Sequence, residues 1–137
     1  MVAYRDTLIT QGSSGSQADG TLHFNAVLET ANATVTKIVG IPLAVLEAGV
    51  VEALVIGFKT DATAGIFRHI CGGFRRAAAG NVTSIGTATG TDVEDSAAAP
   101  AVTIAANTTT QEIELRVAGV AAETYRWEAH VSFTKIR

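Results

Sequence analysis

Strict two-residue alternation near the C terminus constrains this chain more than any other feature of its sequence. Between residues 124 and 136 the side chains alternate between apolar and polar over about ten positions. The apolar members are Tyr125, Trp127, Ala129, Val131 and Phe133. This period is typical of a β-strand with one buried and one solvated face, so Trp127 is predicted to lie in a core.

A second alternating segment, residues 109–119, lies just upstream. Ile113, Leu115 and Val117 alternate with Glu112, Glu114 and Arg116. Because only a short turn separates the two segments, we expect them to pair as a closing hairpin. Arg126 and Glu128 would then face the charged residues of the first strand, in cross-strand pairs worth about 0.2–1 kcal/mol each.

The rest of the chain predicts further short strands, with turn signals roughly every ten residues. The candidate strands are residues 22–28, 34–41, 50–60, 66–76, 82–89 and 101–105. Segments 50–60 and 66–76 are expected to form an antiparallel hairpin, and residues 43–48 fit either a helical turn or another short strand. The sequence therefore predicts an all-β fold, an antiparallel β-sandwich of jelly-roll-like type with about eight or nine short strands.

The N-terminal region differs in composition from the remainder. Residues 11–20 read QGSSGSQADG, a Gly/Ser-rich sequence typical of a loop or linker. We therefore divide the chain into an N-terminal arm and linker, residues 1–20, and a β-sandwich domain, residues 21–137. The arm fits two alternatives: an edge strand of the same domain, or a segment that contacts a neighbouring subunit.

Charge argues against two classes of partner. The net charge is −3 and charged residues make up 17% of the chain, too little to steer it to nucleic acid or an anionic membrane. Residues 38–58 are apolar and long enough to span a bilayer, but Glu47 and Glu52 near the middle would be costly in lipid. We expect two buried strands there, joined by a turn near Ala48 and Gly49. The first six residues do not resemble a signal peptide.

No residue pattern predicts catalysis, cofactor binding or a metal site. His23, His69 and His130 are far apart in sequence, and no pair has metal-ligand spacing. Cys71, the only cysteine, excludes an intrachain disulfide and is expected to be a small buried residue in a strand. Since a Gly-x-Ser-x-Gly elbow is also missing, the chain is predicted not to be an enzyme.

Two further clusters have ordinary structural interpretations. The acidic residues Asp92, Glu94 and Asp95 fit a solvated loop better than a calcium site, because the EF-hand pattern is missing. Basic residues with aromatic neighbours also occur in single-strand nucleic-acid grooves. Here, however, a mixed strand face or a subunit interface explains them more simply. The members of this second cluster are Arg68, Arg75 and Arg76, with Phe67 and Phe74.

The order of strands and turns resembles a β-domain of tailed-bacteriophage virion proteins, over roughly residues 22–136. The stretches that carry the resemblance are Lys59-Thr60-Asp61, Phe74-Arg75-Arg76, and Val117-Ala118-Gly119-Val120-Ala121 followed by Arg126-Trp127. Such domains occur in capsid decoration (cement) proteins, head fibres and tail fibres. The resemblance implies a jelly-roll-like homotrimer on the virion, assembled in the host cytoplasm, with the major capsid protein or other virion proteins as partners. It implies no catalytic residues.

Three functions compete on this basis. The short N-terminal region favours a decoration protein over a complete tail fibre, which would carry a long repetitive shaft. A receptor- or carbohydrate-binding fibre module, with a host-surface glycan as partner, is the alternative. Sugar sites usually expose aromatic rings, so the predicted burial of Trp127 and Tyr125 counts against the fibre module. A small hydrolase would require histidines and carboxylates that converge in a pocket.

Overall fold

The computed structural model describes residues 2–9, 20–94 and 100–136, and all the regular secondary structure in these ranges is β-strand. In chain order the strands are β1 (Val2–Ile9), β2 (Gly20–Thr30), β3 (Thr36–Pro42), β4 (Glu47–Lys59), β5 (Gly65–Arg76), β6 (Val82–Glu94), β7 (Ala101–Asn107), β8 (Glu112–Ala118) and β9 (Tyr125–Ile136). The all-β prediction is confirmed. Over the same residues, nothing forms a helix of the length and apolar character that crossing a membrane requires.

The strands form two antiparallel sheets that enclose one hydrophobic core. The large sheet has the order β1-β2-β9-β4-β5-β6, and the small sheet has the order β3-β8-β7. Buried apolar residues of both sheets belong to a single cluster, which makes the fold a β-sandwich. The pairings β2–β9 and β3–β8 are nested, as when a long hairpin folds over on itself. This nesting is the jelly-roll-like part of the topology.

The predicted closing hairpin is wrong, because its two strands lie in different sheets. β8 pairs with β3 and β7, whereas β9 pairs with β2 and β4. Arg126 therefore lies opposite Glu29 and Phe58, and the expected pairs with the charges of β8 do not form. Residues 119–124 cross from one sheet to the other. Alternation along a strand fixes which residues face inward, but it does not identify the neighbouring strand.

Two predicted turns lie elsewhere. The chain turns at residues 44–47 rather than near Ala48 and Gly49. There the Glu47 carboxylate accepts a hydrogen bond from the Ala44 N–H (2.9 Å) and pairs with Lys135 (3.3 Å). Strand β6 continues to Glu94, through part of the predicted acidic loop, because it pairs with β5 as far as Ile66 opposite Glu94. Within this stretch the Asp92 side chain pairs with Arg68 on β5. Asp95 lies outside the described residues.

The first of the two alternatives for the N-terminal arm matches the structure. Val2–Ile9 pairs with β2 along its whole length, as the edge strand of the large sheet. The proposed linker lies, apart from Gly20, outside the described residues.

The core centres on Trp127, as the alternation in β9 predicts. Its side chain is 2% exposed, stacks on Tyr125 at 5.8 Å between ring centroids, and donates its indole N–H to Thr30 Oγ1 at 2.9 Å. Directly across the β4–β9 pair is Gly57. A Cβ atom at this glycine would lie 2.5 Å from Cζ3 of Trp127, so the indole ring packs directly on the backbone of β4.

This packing predicts that an alanine destabilises the protein at one glycine position and does not at another. Gly57→Ala should lower the free energy of unfolding by about 1–3 kcal/mol, because the added methyl group displaces the indole ring. Gly20→Ala is the matched control, since nothing lies within 4 Å of a Cβ there. It should be neutral, or stabilising by up to about 1 kcal/mol, through the reduced entropy of the unfolded chain. Urea denaturation followed by Trp127 fluorescence measures both, and equal effects would contradict the packing.

Candidate functional site

The outward-facing side chains of the large sheet form a surface, here called the outer face, whose residues are aligned in rows by the strand register. One row runs across five strands through Val27, Glu128, Ile56, Phe67 and Val93. Val50, Glu52, Leu54, Ile56 and Phe58 lie on one side of β4, as their two-residue spacing predicts, and that side is the outer one. The sequence alone did not reveal that these residues face outward.

One end of the outer face carries a row of large apolar side chains together with Phe58. Val27, Ile56, Phe58, Phe67 and Val93 form what we call the apolar patch. Phe58 is 56% exposed and Val93 is 69% exposed. Isolated apolar residues are normal on a protein surface, whereas a contiguous group makes this end of the outer face a candidate site of interaction.

A groove of about 550 Å³ runs through the apolar patch. Val27, Ile56 and Phe58 line it, and Glu29, Arg126 and Glu128 form its polar rim. Two of the rim residues are loosely held, since Arg126 Nε lies 3.4 Å from Glu29 Oε2 and both side chains are more than half exposed. Ion pairs of this kind contribute little to stability, so Arg126 and Glu29 are free to exchange partners. Its two carboxylates outnumber its one guanidinium.

The three histidines lie together on the middle of the outer face, although they are far apart in sequence. His23, His69 and His130 line a second, shallower depression of about 420 Å³, with Asn25 and Glu52. His130 is held at both ring nitrogens, by Asn25 Oδ1 at 2.7 Å and by Glu128 Oε1 at 2.9 Å.

Strand parity, rather than ligand spacing, was the signal for this grouping. Each histidine precedes a residue that is buried in the core, namely Phe24, Ile70 or Val131. Within the ranges that the structure describes, no three His, Cys, Asp or Glu side chains are arranged so that they could hold a metal ion. The histidines therefore give the outer face a polar band beside the apolar patch.

The location of Cys71 differs from the expectation. It lies on the outer face, opposite Glu52 in the β4–β5 register, and is only partly buried. The neighbouring Ile70 takes the inner position, so the parity of β5 places the thiol outside.

The basic residues of β5 are largely used within the fold. Arg68 pairs with Asp92, and Arg76 donates hydrogen bonds to the carbonyl oxygens of Leu43 (3.0 Å) and Gly80 (3.1 Å). Both lie on the strand face that also carries Phe74, as their even spacing along the strand predicts. Arg75 is exposed on the opposite face. Arg68 and Arg76 therefore serve the structure, which accords with the mixed strand face expected for this cluster.

The outer surface of the small sheet has a different character, because its charges are joined in a network. The buried Glu114 carboxylate accepts hydrogen bonds from Asn107 (2.7 Å) and Arg116 (2.7 Å). Lys37 lies 3.0 Å from Glu112 and 3.8 Å from Glu114. Charges that are already paired in this way offer less to a partner than the uncovered apolar patch does.

Electrostatics within this network favour the ionised form of Glu114. Burial by itself raises the pKa of its carboxyl group, but three effects outweigh burial: the hydrogen bonds from Asn107 and Arg116, the charge of Arg116 and the charge of Lys37. The pKa of Glu114 is therefore lowered. The hydrogen bond to Glu112 is the main cause that raises the pKa of Lys37.

Comparisons with known proteins add no relative. No protein-family model matches the sequence, and no curated protein or solved structure matches it significantly. Inference about function therefore rests on the residues and geometry of the two sheets.

The lowered pKa of Glu114 predicts a pH-dependent effect of Glu114→Gln. At pH 7 the substitution should reduce the free energy of unfolding by about 1–3 kcal/mol, since hydrogen bonds to a charged group are lost. Because the folded-state pKa is depressed, this stabilisation is present above the pKa of an unfolded glutamate, about 4.3, and disappears as pH falls through the folded value. Urea titrations across this range test it. The exposed Glu52→Gln serves as control, and a pH-independent difference would contradict the assignment.

The position of Cys71 predicts that its thiol is accessible in the folded chain. A maleimide should label the native protein without denaturant, because Cys71 faces outward. In a Cys71→Ser background, Ala129→Cys introduces a thiol on the inner face at a position that is 0% exposed. That thiol should react only after unfolding. Mass spectrometry of the two proteins measures labelling, and protection of Cys71 in a monomer would refute its placement.

Proposed function

We propose that this protein is a structural component of a tailed-bacteriophage particle, a capsid decoration (cement) protein that binds the particle surface as a homotrimer. The supporting observation is the apolar patch, which a single chain leaves uncovered. The resemblance of the strand and turn sequence to virion β-domains supplies the biological context.

The physical demands on such a protein suit this chain. A decoration protein stabilises a shell by contact alone, so it needs a rigid body and a surface that gains free energy when covered. The sandwich supplies the rigid body through its continuous core. Burying one Val, Leu or Phe side chain contributes about 1.5–3 kcal/mol, whereas association costs at least about 4 kcal/mol in lost freedom of motion. Several residues of the apolar patch must therefore be covered together.

A fibre module that binds a host glycan is the second candidate. Trp127 and Tyr125 are buried, so neither can stack on a sugar. Phe58 and Phe67 are exposed aromatic side chains that keep this candidate open, with Glu128 and Asn25 as nearby polar groups. Their position within a larger apolar patch favours a protein partner.

Sedimentation equilibrium and particle binding together test the proposal. At micromolar concentration the wild-type chain should sediment with three times the mass of one chain. It should also co-sediment with phage heads that were prepared without it. Phe67→Asp, within the apolar patch, should weaken head binding by roughly 30-fold or more, the loss typical of a central interface residue.

Thr103→Asp, an exposed change on the outer surface of the small sheet, is the matched control and should bind as the wild type does. A chain that remains monomeric and does not bind heads would overturn the proposal. Binding to a glycan array, without binding to heads, would favour the fibre module.

A further inference from the structure

The turn between β3 and β4 presents two aliphatic side chains to solvent. Val45 and Leu46, here called the aliphatic knob, are 45% and 64% exposed. They are the central residues of a β-turn closed by a hydrogen bond from the Glu47 N–H to the Ala44 carbonyl oxygen (3.3 Å). Such positions usually hold Gly, Pro, Asn or Asp.

The backbone at Leu46 makes this choice of residue still less expected. Its φ angle is 63°, in the left-handed region, which costs an ordinary residue about 1–2 kcal/mol. The other non-glycine residues with positive φ in the described ranges are Ala62, Gln111 and Ala122, so Leu46 is the bulky aliphatic one. A large apolar side chain is thus kept in a strained and exposed place where it contributes little to the core.

The knob is also held rigidly by its neighbours. The Leu46 N–H donates to the Arg76 carbonyl oxygen (2.8 Å), and the Ala44 N–H donates to Glu47 Oε2 (2.9 Å). The Arg76 guanidinium donates in turn to the Leu43 carbonyl oxygen (3.0 Å). A turn fixed in this way loses little conformational entropy on binding, which is what a docking element requires.

The groove in the apolar patch is complementary to the knob in shape and charge. It is concave and apolar, and its rim carries Glu29 and Glu128 against the single Arg126. The knob is flanked by the exposed Arg75, which lies opposite Ala48 at the adjacent end of β5. An apolar turn beside a cation thus matches an apolar groove with an excess of carboxylates.

Within one chain the knob cannot reach the groove. The knob directly precedes β4, and the groove residue Phe58 lies twelve positions beyond Leu46, near the far end of that strand. Twelve residues of extended chain span about 40 Å. Any occupant of the groove that has the chemistry of the knob must therefore come from another molecule.

We propose that the aliphatic knob of one copy docks into the groove of a second copy, and that this contact builds the trimer. The inference rests on the proposed function, because it supplies the interface of the proposed homotrimer. The contact joins two different surfaces, the knob of one copy and the groove of the next, so it is heterologous. It propagates around a ring when the rotation between copies closes, here after three copies.

Two charge substitutions test the contact, one on each side. Leu46→Asp disrupts the knob and leaves the groove intact. Phe58→Asp disrupts the groove and leaves the knob intact. Each variant alone should be monomeric, with the dissociation constant raised roughly 30-fold or more. An equimolar mixture should form a 1:1 dimer and nothing larger, because one intact knob meets one intact groove and neither end can continue. Sedimentation velocity of the separate and mixed proteins measures this.

Two further variants separate docking from folding. Ala62→Asp is the matched control, since Ala62 is exposed and has nearly the same φ as Leu46, and it should remain trimeric. Leu46→Gly removes the side chain and relieves the backbone strain. It should therefore be monomeric without loss of resistance to urea. A trimeric Leu46→Gly protein of reduced stability would mean that Leu46 serves the fold, and would overturn the inference.

The remaining outcomes distinguish the inference from the proposed function. If the wild type is a trimer and both aspartate variants remain trimers, the knob and groove contact is wrong while the proposed function stands. Trimers in the mixture would also overturn the inference, since a third copy could join only through an interface that uses neither the knob nor the groove. A wild-type monomer that does not bind heads would overturn the proposed function, and the inference with it.

Discussion

The packing of Trp127 against Gly57 is the contact on which the arrangement of the large sheet depends. β9 lies at the centre of that sheet, between β2 and β4, and the indole ring fits the backbone of β4 only where the side chain is missing. A slip of one residue would turn every core side chain of β9 toward solvent. The Trp127–Thr30 hydrogen bond fixes the other neighbour, β2, in the same way. Once these registers are set, the rows of the outer face follow.

The sequence predicted which side chains of β9 are buried, but it did not predict which strands are the neighbours of β9 in the sheet. Alternation is local, so the burial of Trp127 could be derived from neighbouring residues alone, whereas both sides of β4 are apolar and the outward position of Phe58 could not. The partner of a strand depends on how distant segments meet, which is why alternation alone predicts a β8–β9 hairpin although the two strands lie in different sheets. The three histidines illustrate the same limit: their parity was visible, but their proximity required the order of the strands. The sequence does not predict the knob, because Val45 and Leu46 contradict turn preferences.

The two outer surfaces of the sandwich differ in whether their side chains already have partners within the chain. On the small sheet, Glu114 and its neighbours satisfy one another, so a partner would have to break existing hydrogen bonds. On the large sheet, the apolar patch gains free energy from any cover that excludes water. The polar band of histidines beside it can form hydrogen bonds with a partner or with water. This asymmetry, more than any single residue, makes the outer face of the large sheet the better candidate for contact with other proteins.

Strand β4 links the core to the proposed assembly. It begins at the knob, carries Gly57 against Trp127 on its inner side, and ends beside Phe58 in the groove. The register that Trp127 imposes on β4 therefore also fixes the distance and relative orientation of knob and groove. In a ring built from a heterologous contact, closure requires every copy to present its two patches at the same angle, and small errors accumulate around the ring. A long strand that pairs with β5 on one side and β9 on the other along nearly its whole length meets this requirement, because its two ends cannot move independently.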